Sequence, residues 1–247
     1  MSSDAPSAHP RQVFPLTHWS LVLRAGKSDT APTRAALASL CQMYWFPLYA
    51  HARRRGHTPH DAEDLTQEFF ARLLERDLLA AADPNRGRFR SFLLAAMNHF
   101  LNHEWEKGRT QKRGGGQPLL SLDAHAAEER FDAEPADRAT PDQAFDRQWA
   151  LALLDTVLTR LEAEYESAGK ANLFAALRPT LAGSRETQPY AELCARLNLS
   201  EGAVKVAVHR LRKRYRDLIR EEVAHTVATP EEVEAELRHL FLALAGT

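Results

Sequence analysis

Between Tyr190 and Arg216 the chain reads YAELCARLNLSEGAVKVAVHRLRKRYR, and no other stretch restricts the fold as much. A short amphipathic run ends at Asn198-Leu199-Ser200, which breaks a helix, and Ser200 is a good N-cap for the next one. At ~100° per residue, Val204, Val208, Leu211, Tyr215 and Leu218 fall on one face of that second helix. Lys205, His209, Arg212, Lys213 and Arg216 take the opposite side, with Val206 and Arg210 at its edge. Six basic residues and no acidic one lie between Lys205 and Arg216. A cationic helix behind a short helix and a turn is the helix-turn-helix pattern. Its first turns can enter a major groove while its basic tail finds phosphates. The plainer reading of the same residues is a solvated basic face on an ordinary helix.

The remaining periodicity is helical too, with no strand alternation of any length. The expected fold is all-α. A short helix is expected over Phe14–Leu23, and another from Thr33 to Trp45, where Pro47 kinks or restarts it before a further piece to Arg55. Thr58, Pro59 and Asp61 open a helix whose apolar face carries Leu65, Phe69, Phe70 and Leu73. Its polar face carries Asp64, Gln67, Glu68 and Arg72, for which solvent exposure is the default. A turn-rich basic loop around Arg86 and Arg88 leads into a helix from Phe89 to Lys107. Its aromatics would be core, or would stack on unpaired bases. Regularity fades from Gly108 to about Pro141, which reads as a linker by composition. One long helix follows from Pro141 to Tyr165, another from Lys170 to Leu177, and a last one begins at the Thr229 cap. The division expected is an N-terminal extension (1–30), a helical domain (31–113), a flexible acidic linker (114–143), a helix-turn-helix domain (144–222) and a C-terminal helical extension (223–247).

A net charge of −1 would argue against nucleic acid if the charge were spread evenly. It is segregated. Arg86–Arg113 holds seven basic residues against two acidic, and Ser121–Phe145 seven acidic against two basic. Two basic blocks around an acidic one suggest two nucleic-acid-facing modules and a linker. Cys41 and Cys194 make neither a disulfide framework nor a metal site, and a reducing compartment is the simplest reading. The first residues lack the plan of a signal peptide, and no apolar run is long enough to span a bilayer.

Enzyme signals are weak. His99 and His103 sit four apart on one helix, but the Glu that either zincin motif needs is absent. His51, His57 and His60 near Asp61 look like a capping cluster rather than a ligand set. Gly114-Gly115-Gly116 lacks the Lys-Ser/Thr of a P-loop. No cofactor and no metal are expected, and the chain does not read as an enzyme.

Two segments together, DAEDLTQEFFARLLER and YAELCARLNLSEGAVKVAVHRLRKRYRDLI, resemble bacterial RNA polymerase sigma factors of the sigma-70 family, most of all the extracytoplasmic-function (ECF) group. The first is similar to the docking helix of region two and the second to region four. The resemblance covers about Ala35–Arg113 and Phe145–Arg220.

It implies a cytoplasmic bacterial promoter-specificity subunit whose partners are core RNA polymerase and duplex and melted promoter DNA, with an anti-sigma factor or other regulator as a further candidate. Asp64, Gln67, Glu68 and Arg72 would then dock on polymerase. Arg86, Arg88, Arg90, Asn98, His99, Asn102, His103, Lys107 and Arg109 would capture and open the downstream element. Lys205, Val206, His209 and Arg210 would read the upstream element, with Arg212, Lys213 and Arg216 on phosphates. Family members usually carry an Asn and an Asp where His99 and His103 stand here, with Asn98 and Asn102 beside them. The alternatives are a stand-alone helix-turn-helix regulator and, more distantly, a helical adaptor or metal-binding enzyme. The C-terminal helix lies outside the two-module plan. Val233, Leu237, Leu240, Phe241 and Leu244 form its expected apolar stripe, and Glu231, Glu234, Glu236 and Arg238 its acidic side. That side is expected either to mask the basic helix Lys205–Arg216 or to leave the stripe simply completing the core.

Overall fold

The computed structural model describes residues 18–25, 30–74, 87–108, 124–132, 139–181 and 190–245. These form ten α-helices and two short 3-10 turns, with no strand among the described residues. We number the helices α1 (His18–Ala25), α2 (Ala31–Arg54), α3 (Pro59–Leu74), α4 (Phe89–Gly108), α5 (Ala124–Asp132), α6 (Pro141–Ser167), α7 (Ala171–Leu177), α8 (Tyr190–Leu197), α9 (Glu201–Thr226) and α10 (Val233–Ala245).

The second half of α2 has almost no polar face. Tyr44, Trp45, Phe46, Leu48, Tyr49, Ala50, His51 and Ala52 are all buried. A helix that is apolar all round must be enclosed on every side. Here α6 runs along it, with α1 and α3 on its other flanks. Pro47 does not restart the helix as expected; α2 passes through it unbroken. The lost backbone hydrogen bond is offset by the surrounding packing, since each large side chain buried here is worth ~1.5–3 kcal/mol.

The long helix α6 is capped by a box in which Thr140 accepts from the Gln143 N–H and Gln143 accepts from the Thr140 N–H. Its Phe145, Trp149, Leu153, Val157 and Leu161 are buried, and α9 and α10 pack on it as well as α2. Buried side chains from the first and second halves of the chain therefore form one continuous cluster.

A helix also stands where only an irregular acidic linker was expected. α5 docks on α2 through Glu128, whose carboxylate takes Arg53 at 2.6 and 3.0 Å and the Tyr49 hydroxyl. Phe131 lies 4.8 Å from the Arg53 guanidinium and 5.2 Å from that of Arg54. Arg130 sits 4.3 Å over Phe46. These contacts are long-range, so composition alone does not reveal them.

α1 is held by aromatic edges. Trp19 and His18 both meet Phe89, and the His18 ring lies edge-on to Tyr44, whose hydroxyl is 3.4 Å from Nδ1. Burial pushes His18 down to about 4; nearby Glu222 opposes this and His225 adds to it. Between that value and the ordinary 6.5 the unfolded chain binds a proton that the folded chain refuses. Stability is therefore complete above the upper value and falls as pH drops through the window, by up to about 3 kcal/mol. Melting scans from about pH 7 to about pH 4.5 should show a steeper loss for the wild type than for His18→Gln. Parallel curves would remove His18 from the acid response.

Candidate nucleic-acid interface

The helix-turn-helix is built as its sequence suggests. Asn198 adopts φ 51°, the left-handed conformation that Asn tolerates, and the Leu199 N–H closes the turn on the Cys194 carbonyl at 3.1 Å. Ser200 caps α9 by accepting from the Ala203 N–H at 3.3 Å. Val204, Val208, Leu211 and Leu218 are buried, which turns Lys205, Val206, His209 and Arg210 outward. Val206 is 50% exposed, an apolar side chain presented among cations where a thymine methyl could meet it. Lys205 leans on Glu201 at 2.7 Å, an exposed pair of little energetic weight.

The basic tail divides between folding and surface. Arg212 donates from Nε and Nη2 to the Thr180 carbonyl, at 3.2 and 2.9 Å, tying α9 to the turn after α7. Arg214 grips Glu164 of α6 with two donors at 2.8 and 2.6 Å and Glu221 with a third at 2.9 Å. Arg214 holds the Glu164 carboxyl below the usual carboxylate range. Arg160 completes the network at 2.6 Å from Glu221. Lys213 and Arg216 stay exposed. Of the residues expected on phosphates, these two remain outward while Arg212 is engaged by the fold.

A second polar surface lies on α4. Phe89, Leu93, Met97, Phe100 and Leu101 are buried, so its aromatics within the described set are core. Opposite them, Arg55 from the end of α2 donates to Asn98 Oδ1 and to Asn102 Oδ1, both at 2.8 Å. His51 Nε2 also lies 2.9 Å from Asn98 Oδ1. Both amide oxygens are thereby occupied, with Asn98 half-buried and Asn102 exposed. His99 and His103 are exposed beside them. Buried His51 thus belongs to this cluster, not to a cap at Asp61. The side chains of Arg86, Lys107 and Arg109 lie outside the described residues.

Arg88 and Arg90, at the start of α4, are the exception to outward placement. Arg90 is 5% exposed. Its Nε meets Glu236 Oε1 at 2.7 Å and its Nη1 meets Asp146 at 2.6 Å. Arg88 Nε reaches Glu236 Oε2 at 2.9 Å.

On α3 the polar face is as expected. Asp64 and Glu68 are exposed, with His60 3.6 Å from Asp64. Gln67 donates to Glu63 at 3.1 Å. Arg72 is pinned between Glu68 and, at 3.0 Å, Glu104 of α4, with its guanidinium 5.0 Å over Phe100. Among the described residues no three His, Cys, Asp or Glu side chains group as a metal site, and no helix is long and apolar enough to cross a membrane.

The model of sigma-70 region 2 matches residues 43–110, which takes in the second half of α2, all of α3 and all of α4. Over 202 residues the chain is 26% identical to the ECF RNA polymerase sigma factor SigE of Mycolicibacterium smegmatis, covering 80% of this chain and 68% of that protein. The chain thus carries a segment matched as sigma-70 region 2 and is similar over most of its length to an ECF sigma factor. No solved structure matches it. The surface of α4 sits inside the matched region.

Residues that local pattern did not single out are Arg55, Glu128, Arg214 in its structural role, and Glu236. For Glu236 a signal existed. It lies three residues after Val233 and four before Leu240, on the same side of α10 as both, and it is fully buried. Phe241, assigned to the stripe, is instead 58% exposed.

The division of the basic tail is testable. Arg214→Ala should destabilise the folded chain by about 1 kcal/mol, the scale of a networked surface ion pair, while Lys213→Ala should leave the melting temperature unchanged. Equal melting temperatures for the two variants would deny Arg214 its structural part.

Proposed function

We propose that this chain is a sigma factor that binds core RNA polymerase, recognises promoter DNA at two elements and helps melt it. One observation carries the reading. The segment matched as sigma-70 region 2 and a capped, outward-facing helix-turn-helix occur in one chain, each with an exposed polar or basic surface. The helix-turn-helix alone would suit a stand-alone regulator, but that reading leaves the region 2 match without a use. In this proposal residues 31–113 and 144–222, which share one core, carry separate surfaces for polymerase and DNA, with 114–143 between them and the C-terminal helix as an extension. The chain works in the bacterial cytoplasm, performs no bond chemistry itself, and its exposed surfaces are open to control by an anti-sigma factor.

The parts have distinct tasks. Asp64, Gln67 and Glu68 on α3 supply the acidic polymerase-docking face, with Arg72 holding its end to α4. Lys205, Val206, His209 and Arg210 enter the major groove of the upstream element, and Lys213 and Arg216 fix register on phosphates. Asn98 and Asn102, their amide oxygens held by Arg55, meet unpaired downstream bases, with His99 and His103 alongside. Arg86, Lys107 and Arg109 add positive charge on either side. Unstacking costs a few kcal/mol per step and is offset by binding at both elements. Tethering both modules to one polymerase raises the local concentration of each at its own element.

Run-off transcription with core polymerase on a fragmented genomic library tests the whole proposal. Discrete start sites should appear only when both proteins are present. Arg210→Ala should cost ~1–3 kcal/mol at cognate promoters and relax preference at one upstream position; an unaltered preference profile would displace α9 from the groove. Reversing charge at Asp64 and Glu68 together should abolish co-purification with core polymerase while circular dichroism stays unchanged. Retained co-purification would move the docking face elsewhere.

A further inference from the structure

The C-terminal helix plants a buried carboxylate on the basic entrance to α4. Glu236 is 0% exposed, and both of its oxygens are taken by arginines. Oε1 meets Arg90 Nε at 2.7 Å, while Oε2 meets Arg88 Nε at 2.9 Å and Arg90 Nη2 at 3.3 Å. Asp146 of α6 takes the remaining side of Arg90 at 2.6 Å, and His239 of α10 lies 2.9 Å from the other Asp146 oxygen. The Arg90 guanidinium also lies 5.0 Å over the Trp149 ring. The acidic side of α10 was expected against the basic helix α9. Only Glu234 turns that way, to Arg220, whereas Glu236 crosses to the other basic block.

We propose that Arg88 and Arg90 form a phosphate-binding site for the melted promoter strand, and that Glu236 is its built-in competitor, an intramolecular plug. The proposal deepens the reading of the α4 surface as DNA-facing, and rests on it. Two features point to it. A guanidinium fork accepts a carboxylate and a phosphodiester in the same bidentate manner, so one carboxylate bridging two arginines occupies the place of two phosphate oxygens. Buried ion pairs contribute less to stability than apolar residues of the same size, so a cluster of two arginines and two carboxylates is a poor way merely to attach a helix. α10 can also leave as a unit. It joins α9 through the extended residues Val227 and Thr229, its Phe241 and Leu242 remain exposed, Val233 and Leu240 are buried, and Leu237, Ala243 and Leu244 pack on the core only partly buried. With the plug in place, apparent DNA affinity falls in proportion to the fraction of chains that are open.

The test uses the full chain and a short fluorescein-labelled single-stranded promoter oligonucleotide, titrated across salt concentration. Glu236→Gln keeps the shape and removes the charge. It should bind the oligonucleotide about tenfold more tightly than the wild type, with a salt slope steeper by about 0.7 for each arginine freed. Adding Arg88→Ala should cancel the gain. A folded Glu236→Gln chain with wild-type affinity and slope would overturn the proposal. Should that variant fail to fold, hydrogen exchange on the wild type decides. Amides of 233–245 should lose protection when core polymerase and promoter DNA are added, and retained protection in that complex refutes the plug. Failure of the wild type to initiate with core polymerase would instead strike the underlying reading, which separates the two.

Discussion

The second half of α2 is a helix without a wet side, and the rest of the molecule is arranged to keep water from it. Tyr44 to Ala52 would expose several aromatic rings if any flank were left open. α6 is long enough to cover this helix along its length, and it comes from the far side of the acidic segment. The same helix then offers its other flanks to α9 and α10. A single apolar demand in the family-matched region thereby recruits the element that supports the helix-turn-helix. The link is physical, through α6, and makes the stability of the helix-turn-helix depend on the packing of the family-matched region.

Charge is partitioned by the same logic. Arginines at packing seams are bound to carboxylates or carbonyls: Arg53 to Glu128, Arg212 to Thr180, Arg214 to Glu164 and Glu221, Arg90 to Glu236 and Asp146. Basic residues on the outward turns, such as Arg210, Lys213 and Arg216, stay exposed. Arg suits the seams because its fork satisfies two partners at once and keeps its charge when half-buried. Counting basic residues in a segment therefore overstates its exposed charge, and a near-neutral chain can still present a cationic helix at α9.

Local structure was legible wherever it depends on near neighbours. The Ser200 cap, the Asn198 turn, the α3 start at Thr58 and the α6 start at Thr140 all follow from side chains within three residues. What failed depends on distant partners. Pro47 should interrupt a solvent-exposed helix, but α6 and α3 hold α2 together across it. α5 has an unremarkable acidic composition and is ordered by Arg53 and Tyr49, some seventy-five residues earlier in the chain. Glu236 is acidic and so was placed outward, although its helical register sides with Val233 and Leu240. The expected site residues were legible as types, while their partners were not: Arg90 is buried against Glu236 and Asp146, and Arg212, though exposed, bonds the Thr180 carbonyl.

Burying a carboxylate between two guanidiniums fixes more than a helix position. The desolvation of four charges is tolerable only while all of them are paired, so the cluster resists half-measures: either Glu236 is in, or another anion must take its place. A water-filled gap would leave Arg90 facing Asp146 alone beside Trp149. This makes the contact between α10 and the start of α4 a two-position element rather than a graded one, as exchange between two anions of similar geometry requires. A phosphodiester brought close by polymerase tethering meets an arginine pair already ordered by packing, so its side-chain entropy has been spent before DNA arrives. In the plug proposed above, the same buried cluster would both close the free chain and preset the geometry in which the DNA backbone is held.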